Sequence, residues 1–187
     1  ADDPERNPWQ TKSSKVVYET PWMTVNEDQV IRPDGAPGLY SYITARVATG
    51  VVALTEENQV SLVGQYRYPT KCYSWEIIEG GAEHGEDPRA AVERELLEEA
   101  GLTAKNWVKL GPIVHTSNCI TAEEAVFYLA TDLTEGTAQP EATEVLQIRT
   151  VPLAEALRMV RSGEITDAMS IIGLLRVEDY LREAGKL

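Results

Sequence analysis

Residues 80–102 read GGAEHGEDPRAAVERELLEEAGL, a stretch that contains start and stop signals for one helix. Asp87 is a residue type suited to an N-cap, and the proline that follows it is favoured in the first turn of a helix. Gly101 can adopt the left-handed conformation that ends a helix. The stretch therefore predicts a helix over residues 88–100.

One face of this predicted helix is acidic. At about 100° per residue, Glu95, Glu98 and Glu99 share one face, whereas Val92 and Leu96 lie on the side that would meet a core. Like charges four residues apart and carboxylates in the last turn both destabilise a helix. A hard divalent cation, which binds carboxylate oxygens, would offset that cost. The alternative is an acidic helix face exposed to water.

A longer pattern decides between these alternatives. Nine residue identities stand at fixed spacing over 23 residues, which is far more specific than a lone glycine motif. They are Gly80, Glu86, Arg94, Glu95, Leu96, Glu98, Glu99, Gly101 and Leu102. This pattern resembles the signature of the Nudix hydrolase family at every specified position. The resemblance implies a loop–helix–loop that holds Mg²⁺ or Mn²⁺ and hydrolyses a nucleoside diphosphate linked to another moiety.

The same resemblance implies roles for individual residues. The implied metal ligands are Glu79 and Gly80, through the main chain, and the carboxylates of Glu95, Glu98 and Glu99. Arg94 and Glu86 would orient these glutamates by ion pairing. Arg94 and Glu98 are also candidate catalytic residues. Gly80, Glu86 and Gly101 would maintain the structure of the loop.

A second acidic segment, TEGTAQPEAT at residues 134–143, is a predicted loop with Gly136 and a proline as helix and strand breakers. In larger members of the family, a glutamate on this loop activates water. Glu141 is the first choice for that catalytic role here, and Glu144 is the second. The alternative is that both are solvated loop glutamates.

Candidate substrate-binding residues lie outside the helix. Arg67 ends a predicted strand and Arg46 precedes one, so either could clamp a phosphate or carboxylate, with a surface salt bridge as the alternative. Trp22 could stack on a ligand, although an aromatic core anchor is the preferred interpretation. Ser117 and Asn118 stand in a polar loop of functional length. ADP-ribose pyrophosphatases of the family carry a proline followed by acidic residues near that place, and this chain has no proline there.

The segments YRYP and WEIIEGG, together with the N-terminal extension and the late glutamate loop, resemble family members that act on nucleoside diphosphate sugars. The expected substrate is therefore a nucleoside diphosphate sugar, with ADP-ribose first and GDP-mannose second. The alternatives are hydrolysis of nucleoside triphosphates or dinucleoside polyphosphates, and a non-catalytic nucleotide-sensing module.

Composition narrows the classes of function. The chain has 187 residues, 43% apolar and 25% charged, which is ordinary for one globular domain. Its net charge of −13 argues against nucleic acid as a partner, since phosphate backbones are bound by clustered Lys and Arg. No apolar run approaches a membrane span, and Cys72 and Cys119 lack metal-ligand spacing. Because the start is polar, we expect no signal peptide. The expected location is the cytoplasm.

The order of predicted elements indicates an α/β fold. Extended segments predict an N-terminal antiparallel β extension over about residues 1–45, which would make the contact of a homodimer. The rest, about 46–187, predicts a catalytic core with a mixed sheet between helices, the Nudix-type α/β/α sandwich. Its predicted strands are 50–54, 59–66, 74–79, 107–114, 125–129 and 144–151, and its later helices are 152–161 and 167–184.

Overall fold

The computed structural model describes residues 5–139 and 145–187. The chain forms two compact units. The first contains the residues before Val47 together with Ser117–Glu123, and the second contains Val47–Thr116 and Glu124–Leu187. No helix in the described ranges is both long enough and apolar enough to cross a membrane.

The first unit is built on an antiparallel three-stranded sheet of β1 (Gln10–Glu19), β2 (Met23–Ile31) and β3 (Pro37–Ala45). Gly35 has a φ of 83°, and its N–H donates to the carbonyl of Arg32, which closes the turn between β2 and β3. The predicted antiparallel β structure at the N-terminus is therefore confirmed. The side chains of β1 are all exposed.

A distant segment, residues 117–123, completes the first unit through main-chain hydrogen bonds to β3. The N–H of Ile43 donates to the carbonyl of Ile120 at 2.9 Å, and the N–H of Ala122 donates to the carbonyl of Ile43 at 2.8 Å. The Tyr40 hydroxyl donates to the carbonyl of Cys119. These contacts explain why a loop between two strands of the second unit belongs to the first.

The second unit contains, within the described residues, two β-sheets and three helices. Its strands are β4 (Ala48–Ala53), β5 (Gln59–Arg67), β6 (Cys72–Glu76), β7 (Ile78–Gly81), β8 (Leu102–Lys109), β9 (Val114–His115), β10 (Glu124–Glu135) and β11 (Gln147–Pro152). Its helices are α1 (Pro88–Ala100), α2 (Leu153–Ser162) and α3 (Ala168–Glu183). One sheet has the order β7-β4-β10-β8, with β9 also paired to β10, and the other has the order β11-β5-β6. β4 and β10 are parallel and the other pairs are antiparallel, so the predicted mixed sheet is confirmed.

The core lies on both faces of the larger sheet. Val52 of β4 packs in a cluster with Leu174 of α3, whereas its neighbour Val51 packs in a second cluster with Val92 and Leu96 of α1. Successive side chains of a strand point to opposite faces, so a continuous apolar strand requires a helix on each side. The predicted layering of helix, sheet and helix is confirmed.

Several predicted boundaries were wrong. The strand expected over residues 74–79 is two strands, because the chain leaves one sheet and enters the other at Ile77. β8 starts at Leu102, directly after the helix, since Gly101 reverses the chain at once. β10 continues to Glu135 instead of ending near residue 129.

Candidate active site

Helix α1 has the predicted bounds and caps. The Asp87 carboxylate accepts a hydrogen bond from the Arg89 N–H at 2.7 Å. Gly101 has a φ of 65°, and its N–H donates to the carbonyl of Leu97. Val92 and Leu96 are fully buried. The acidic side of the helix is therefore held in place by its own ends and by the core beneath it.

Arg94 is the centre of the acidic face. Its Nη1 donates to the carboxylates of Glu95, at 2.7 Å, and Glu98, at 3.1 Å. Its Nε and Nη2 donate to Glu86, and Nη2 also reaches the carbonyl of Gly81. The hydrogen bond to Glu86 is the largest cause of a raised pKa of the Arg94 guanidinium. The ion pairing that the resemblance implied for Glu86 and Arg94 is present in the structure.

The end of β7 lies against the same helix. Glu99 is only 4% exposed, and its Oε2 accepts from the main-chain N–H of Glu79 at 3.4 Å. A Cβ atom on Gly80 would overlap the carboxyl group of Glu95. The absence of a side chain at Gly80 leaves room for the Glu95 carboxyl group in its present position, and the Gly80 carbonyl accepts from the Thr49 hydroxyl.

The donor set fits a hard divalent cation. Three carboxylates of α1 and the main chain at residues 79–80 supply only oxygen ligands, as Mg²⁺ and Mn²⁺ prefer. Within residues 5–139 and 145–187, no group of three or more His, Cys, Asp or Glu residues is drawn together at the spacing of a metal site. Glu95 and Glu98 instead share the Nη1 of Arg94.

A second charged cluster lies beside the first. Arg67 donates to both carboxylate oxygens of Glu76, through Nε at 2.9 and 3.1 Å and through Nη2 at 2.5 Å. Burial raises the pKa of the Glu79 carboxyl well above its ordinary value, and the carboxylates of Asp167 and Glu76 raise it further. Oε1 of Glu79 accepts from the hydroxyl of Ser170 at 3.0 Å.

Arg67 also lines a cavity of about 300 Å³ in the second unit. The other lining residues are Pro69, Thr70, Cys72, Ser74, Glu76, Thr166, Asp167 and Ala168. Both Nε and Nη2 of Arg67 are engaged by Glu76, and Nη1 has no hydrogen-bond partner within the described ranges. Glu76 thus holds the guanidinium in one orientation through Nε and Nη2.

The remaining sequence-predicted residues belong to the first unit or lie outside the described residues. Trp22 is 70% exposed, so its interpretation as a core anchor was wrong: the short β1–β2 connection leaves it in solvent. Arg46 donates to the carbonyl of Pro21. Ser117 and Asn118 are exposed in segment 117–123. Glu141 and Glu144 fall outside the residues that the structure describes.

Two residues of the second cluster were missed at the sequence level. Glu76 stands among apolar neighbours in a short strand, and a carboxylate in that setting indicates a buried cation partner. Ser170 shows no comparable signal, because its partners, Ile77 and Glu79, lie more than ninety residues away.

The geometry agrees with the comparisons to known proteins. Residues 44–168 match the NUDIX domain family, and residues 9–43 match the nucleoside diphosphate sugar hydrolase N-terminal domain. The chain is 32% identical over 173 residues to an ADP-ribose pyrophosphatase of Mycobacterium tuberculosis, covering 90% of this chain and 83% of that protein. It is 31% identical over 159 residues to an ADP-ribose pyrophosphatase of Bacillus subtilis, covering 84% of each.

A similar fold is present in a crystal structure of an ADP compounds hydrolase. The TM-score is 0.86 at 20% sequence identity, and the match covers 99% of this chain and 100% of the other. The family match spans most of the chain and includes the acidic helix, Gly80 and the Arg94 ion pairs. This chain therefore belongs to the Nudix family.

Proposed function

We propose that this protein hydrolyses the diphosphate bond of nucleoside diphosphate sugars, with ADP-ribose as the first substrate and GDP-mannose as the second. The observation that carries this proposal is the order of the two family matches. A nucleoside diphosphate sugar hydrolase N-terminal domain at residues 9–43 is followed directly by the NUDIX domain at 44–168. The matches to the two relatives named ADP-ribose pyrophosphatase cover 90% and 84% of this chain.

The reaction adds water across the anhydride. One P–O bond of the diphosphate breaks, a new P–O bond forms to the water oxygen, and the products are a nucleoside monophosphate and a sugar phosphate. A bound divalent cation would neutralise the diphosphate and increase the acidity of water. Mg²⁺ is the proposed ion and Mn²⁺ its substitute, held by Glu95, Glu98 and Glu99 with the main chain at residues 79–80.

Arg94 orients two of these proposed ligands, Glu95 and Glu98. Its guanidinium holds Glu95 and Glu98 side by side before any cation is present, and its bonds to Glu86 tie both to the loop that precedes α1. Because the two carboxylates are already oriented, their side chains lose less conformational entropy when a cation binds. Arg94 thus acts on the reaction through the glutamates that it orients.

The late loop is the proposed source of the general base. The N–H of Gln139 donates to the carbonyl of Glu98 at 2.8 Å, and the N–H of Gly136 donates to the carbonyl of Gly101. The loop is therefore anchored to the C-terminal turn of α1 two residues before Glu141. Glu141 would accept the proton of the attacking water, and Glu144 is the alternative.

Five residues are proposed as substrate contacts. Nη1 of Arg67 would bind the diphosphate or the terminal sugar, in the manner of arginine at phosphate sites. Arg46, Ser117 and Asn118 would add polar contacts, and Trp22 would stack on the base. Stacking tolerates more than one base, so relaxed base specificity is expected.

A homodimer in the cytoplasm is part of the same proposal. The sheet of the first unit exposes several large apolar side chains, and a second copy of the chain would cover them. They include Val16, Val17, Tyr18, Trp22 and Leu39.

The decisive experiment measures products and rates with a substrate panel and Mg²⁺. The panel contains ADP-ribose, GDP-mannose, UDP-glucose, nucleoside triphosphates and dinucleoside polyphosphates. The expected result is AMP and ribose 5-phosphate from ADP-ribose, with the highest kcat/KM among diphosphate sugars. A higher kcat/KM for nucleoside triphosphates than for every diphosphate sugar would overturn the substrate assignment. Tight binding of ADP-ribose with no turnover would favour the nucleotide-sensing alternative.

A further inference from the structure

The break between β6 and β7 lies immediately before the acidic helix segment. β6 pairs with β5 in one sheet, and β7 pairs with β4 in the other. Ile77 stands between them, belongs to neither strand and is 1% exposed. A buried main-chain N–H outside a sheet ladder needs another acceptor. Here the N–H of Ile77 donates to the Ser170 hydroxyl oxygen at 3.0 Å.

Ser170 is fully buried in the first turn of α3, and both functions of its hydroxyl are used. The oxygen accepts from the N–H of Ile77, and the hydroxyl donates to Oε1 of Glu79 at 3.0 Å. The main-chain N–H of Ser170 donates to the N-cap carboxylate of Asp167 at 2.7 Å. The Ser170 side chain therefore links the first turn of α3, a capped helix of sixteen residues, to Ile77 and to Glu79.

The two ends of Glu79 face different partners. Its side chain is held by Ser170, whereas its main-chain N–H donates to Glu99, and the next residue, Gly80, lies against Glu95. A rotation of this segment would move the main-chain oxygens at residues 79–80 relative to the carboxylates of α1. Pairing with β4 holds residues 78–81 on the sheet side, and the Ser170 hydroxyl holds the Glu79 side chain from the α3 side.

We propose that Ser170 is a positioning residue that fixes the strand break at Ile77 and, through Glu79, presents the main chain of residues 79–80 to the divalent cation. The inference rests on the proposed function in taking these residues as cation ligands. It adds α3, an element remote in sequence from the acidic helix, to the structures that determine cation affinity.

The test compares Ser170→Ala with Ser61→Ala in the full chain. Ser61 is also a buried serine on a strand of the second unit, and its hydroxyl has no hydrogen-bond partner within the described residues. Mn²⁺ affinity is measured without substrate by electron paramagnetic resonance, and exchange of the Ile77 amide is measured by NMR. Ser170→Ala is expected to bind Mn²⁺ about tenfold more weakly and to exchange the Ile77 amide faster, with Ser61→Ala unchanged in both.

A second pair of variants keeps the test valid if Ser170→Ala does not fold. Glu79→Gln retains an oxygen that can accept from the Ser170 hydroxyl, and Glu79→Ala does not. Mn²⁺ affinity is expected to stay close to that of the unmodified chain in Glu79→Gln and to fall about tenfold in Glu79→Ala. In steady-state assays, Ser170→Ala should need more Mg²⁺ for half-maximal activity but regain most of its kcat at saturation.

Several outcomes would overturn the inference. One is equal Mn²⁺ affinity in Ser170→Ala and Ser61→Ala, and another is equal Mn²⁺ affinity in the two Glu79 variants. A third is a loss of kcat in Ser170→Ala that saturating Mg²⁺ does not restore. A fourth is an unmodified chain that binds no cation. A different result would show that the proposed function is wrong and the inference is right. In that case the unmodified chain releases no AMP from ADP-ribose, while the Mn²⁺ affinities still separate Ser170→Ala from its control.

Discussion

Glu99 differs from the other two carboxylates of the acidic face. Glu95 and Glu98 both bond to Arg94, whereas Glu99 is buried and accepts from the main chain of β7. A buried carboxylate between a helix and a strand loses its hydration, and a divalent cation would compensate that loss. Glu99 is therefore the residue at which a change of charge without a change of shape is most informative.

Glu99→Gln is expected to lower kcat by about 100-fold or more while the fold stays intact, because a proposed cation ligand loses its charge. The measurement is ADP-ribose hydrolysis across a Mg²⁺ titration, with circular dichroism for the fold. Glu93→Gln is the matched control, since Glu93 is exposed on the same helix and pairs with Arg89. Near-normal turnover of Glu99→Gln at saturating Mg²⁺ would contradict the assignment.

Gly80→Ala tests the close approach of β7 and α1. The new methyl group would overlap the Glu95 carboxyl, so the carboxylate must move away from the main-chain oxygens of residues 79–80. We expect weaker Mn²⁺ binding and lower kcat, with secondary structure retained. Calorimetric titration with Mn²⁺ measures the first effect. Unchanged cation affinity in this variant would show that Glu95 is not a ligand at this position.

The C-terminus of α1 both ends the helix and contacts the late loop. Gly101 stops the helix in the left-handed conformation, and a Cβ atom there would lie 2.7 Å from the main-chain nitrogen of Ala138. The loop residues Gly136 and Gln139 bond to the last turn of the helix. The position of the loop therefore depends on the absence of a side chain at residue 101.

Gly101→Ala and Gly163→Ala form a matched pair that separates these two effects. Both glycines are left-handed helix C-caps, but nothing lies within 4 Å of a Cβ on Gly163. Each variant is expected to lose about 1–2 kcal/mol of unfolding free energy from the backbone conformation. Only Gly101→Ala should also lower kcat, because it displaces the loop. Equal kcat values in the two variants would separate the loop from catalysis.

Two glutamates near the late loop, Glu141 and Glu144, are candidates for the general base. Glu141→Gln is expected to lower kcat with little change in Mn²⁺ affinity, because the base acts after the cation is bound. Glu144→Gln is the comparison. If Glu144→Gln is the slower variant, the base is Glu144, and if both retain full kcat, the late loop does not supply it.

The first unit of the molecule has a sheet with exposed apolar side chains. All side chains of β1 are exposed, including Tyr18, and Trp22 follows in the connection to β2. Exposed apolar side chains at this density are typical of a surface that another chain covers. A sheet that packs on a second copy would also present Trp22 to a shared interface.

Light scattering at micromolar concentration is therefore expected to give twice the mass of one chain. Tyr18→Asp should shift the mass toward one chain, because a charge would be buried in the contact. Leu187→Asp, a similar change at an exposed apolar residue of the second unit, should leave the mass unchanged. A single-chain mass for the unmodified protein would refute the homodimer.

Much of the fold and site was accessible from local sequence. The bounds of α1 and its Asp87 and Gly101 caps follow from propensities that act within a few residues. The pairing of Arg94 with Glu98 is similar, since residues four apart on a helix are neighbours. Short-range geometry is set by the chain itself, so the sequence alone determined these features.

Other features of the fold and site depend on contacts between elements that are distant in sequence. The division of one predicted strand at Ile77, the contact of Gly80 with Glu95 and the burial of Glu76 against Arg67 depend on which sheets and helices meet. Ser170 lies 93 residues from Ile77, and no local pattern in the sequence marks the pair. A hydrogen bond acts over about 3 Å, and only the packing of α3 on the sheet brings these two residues within that distance.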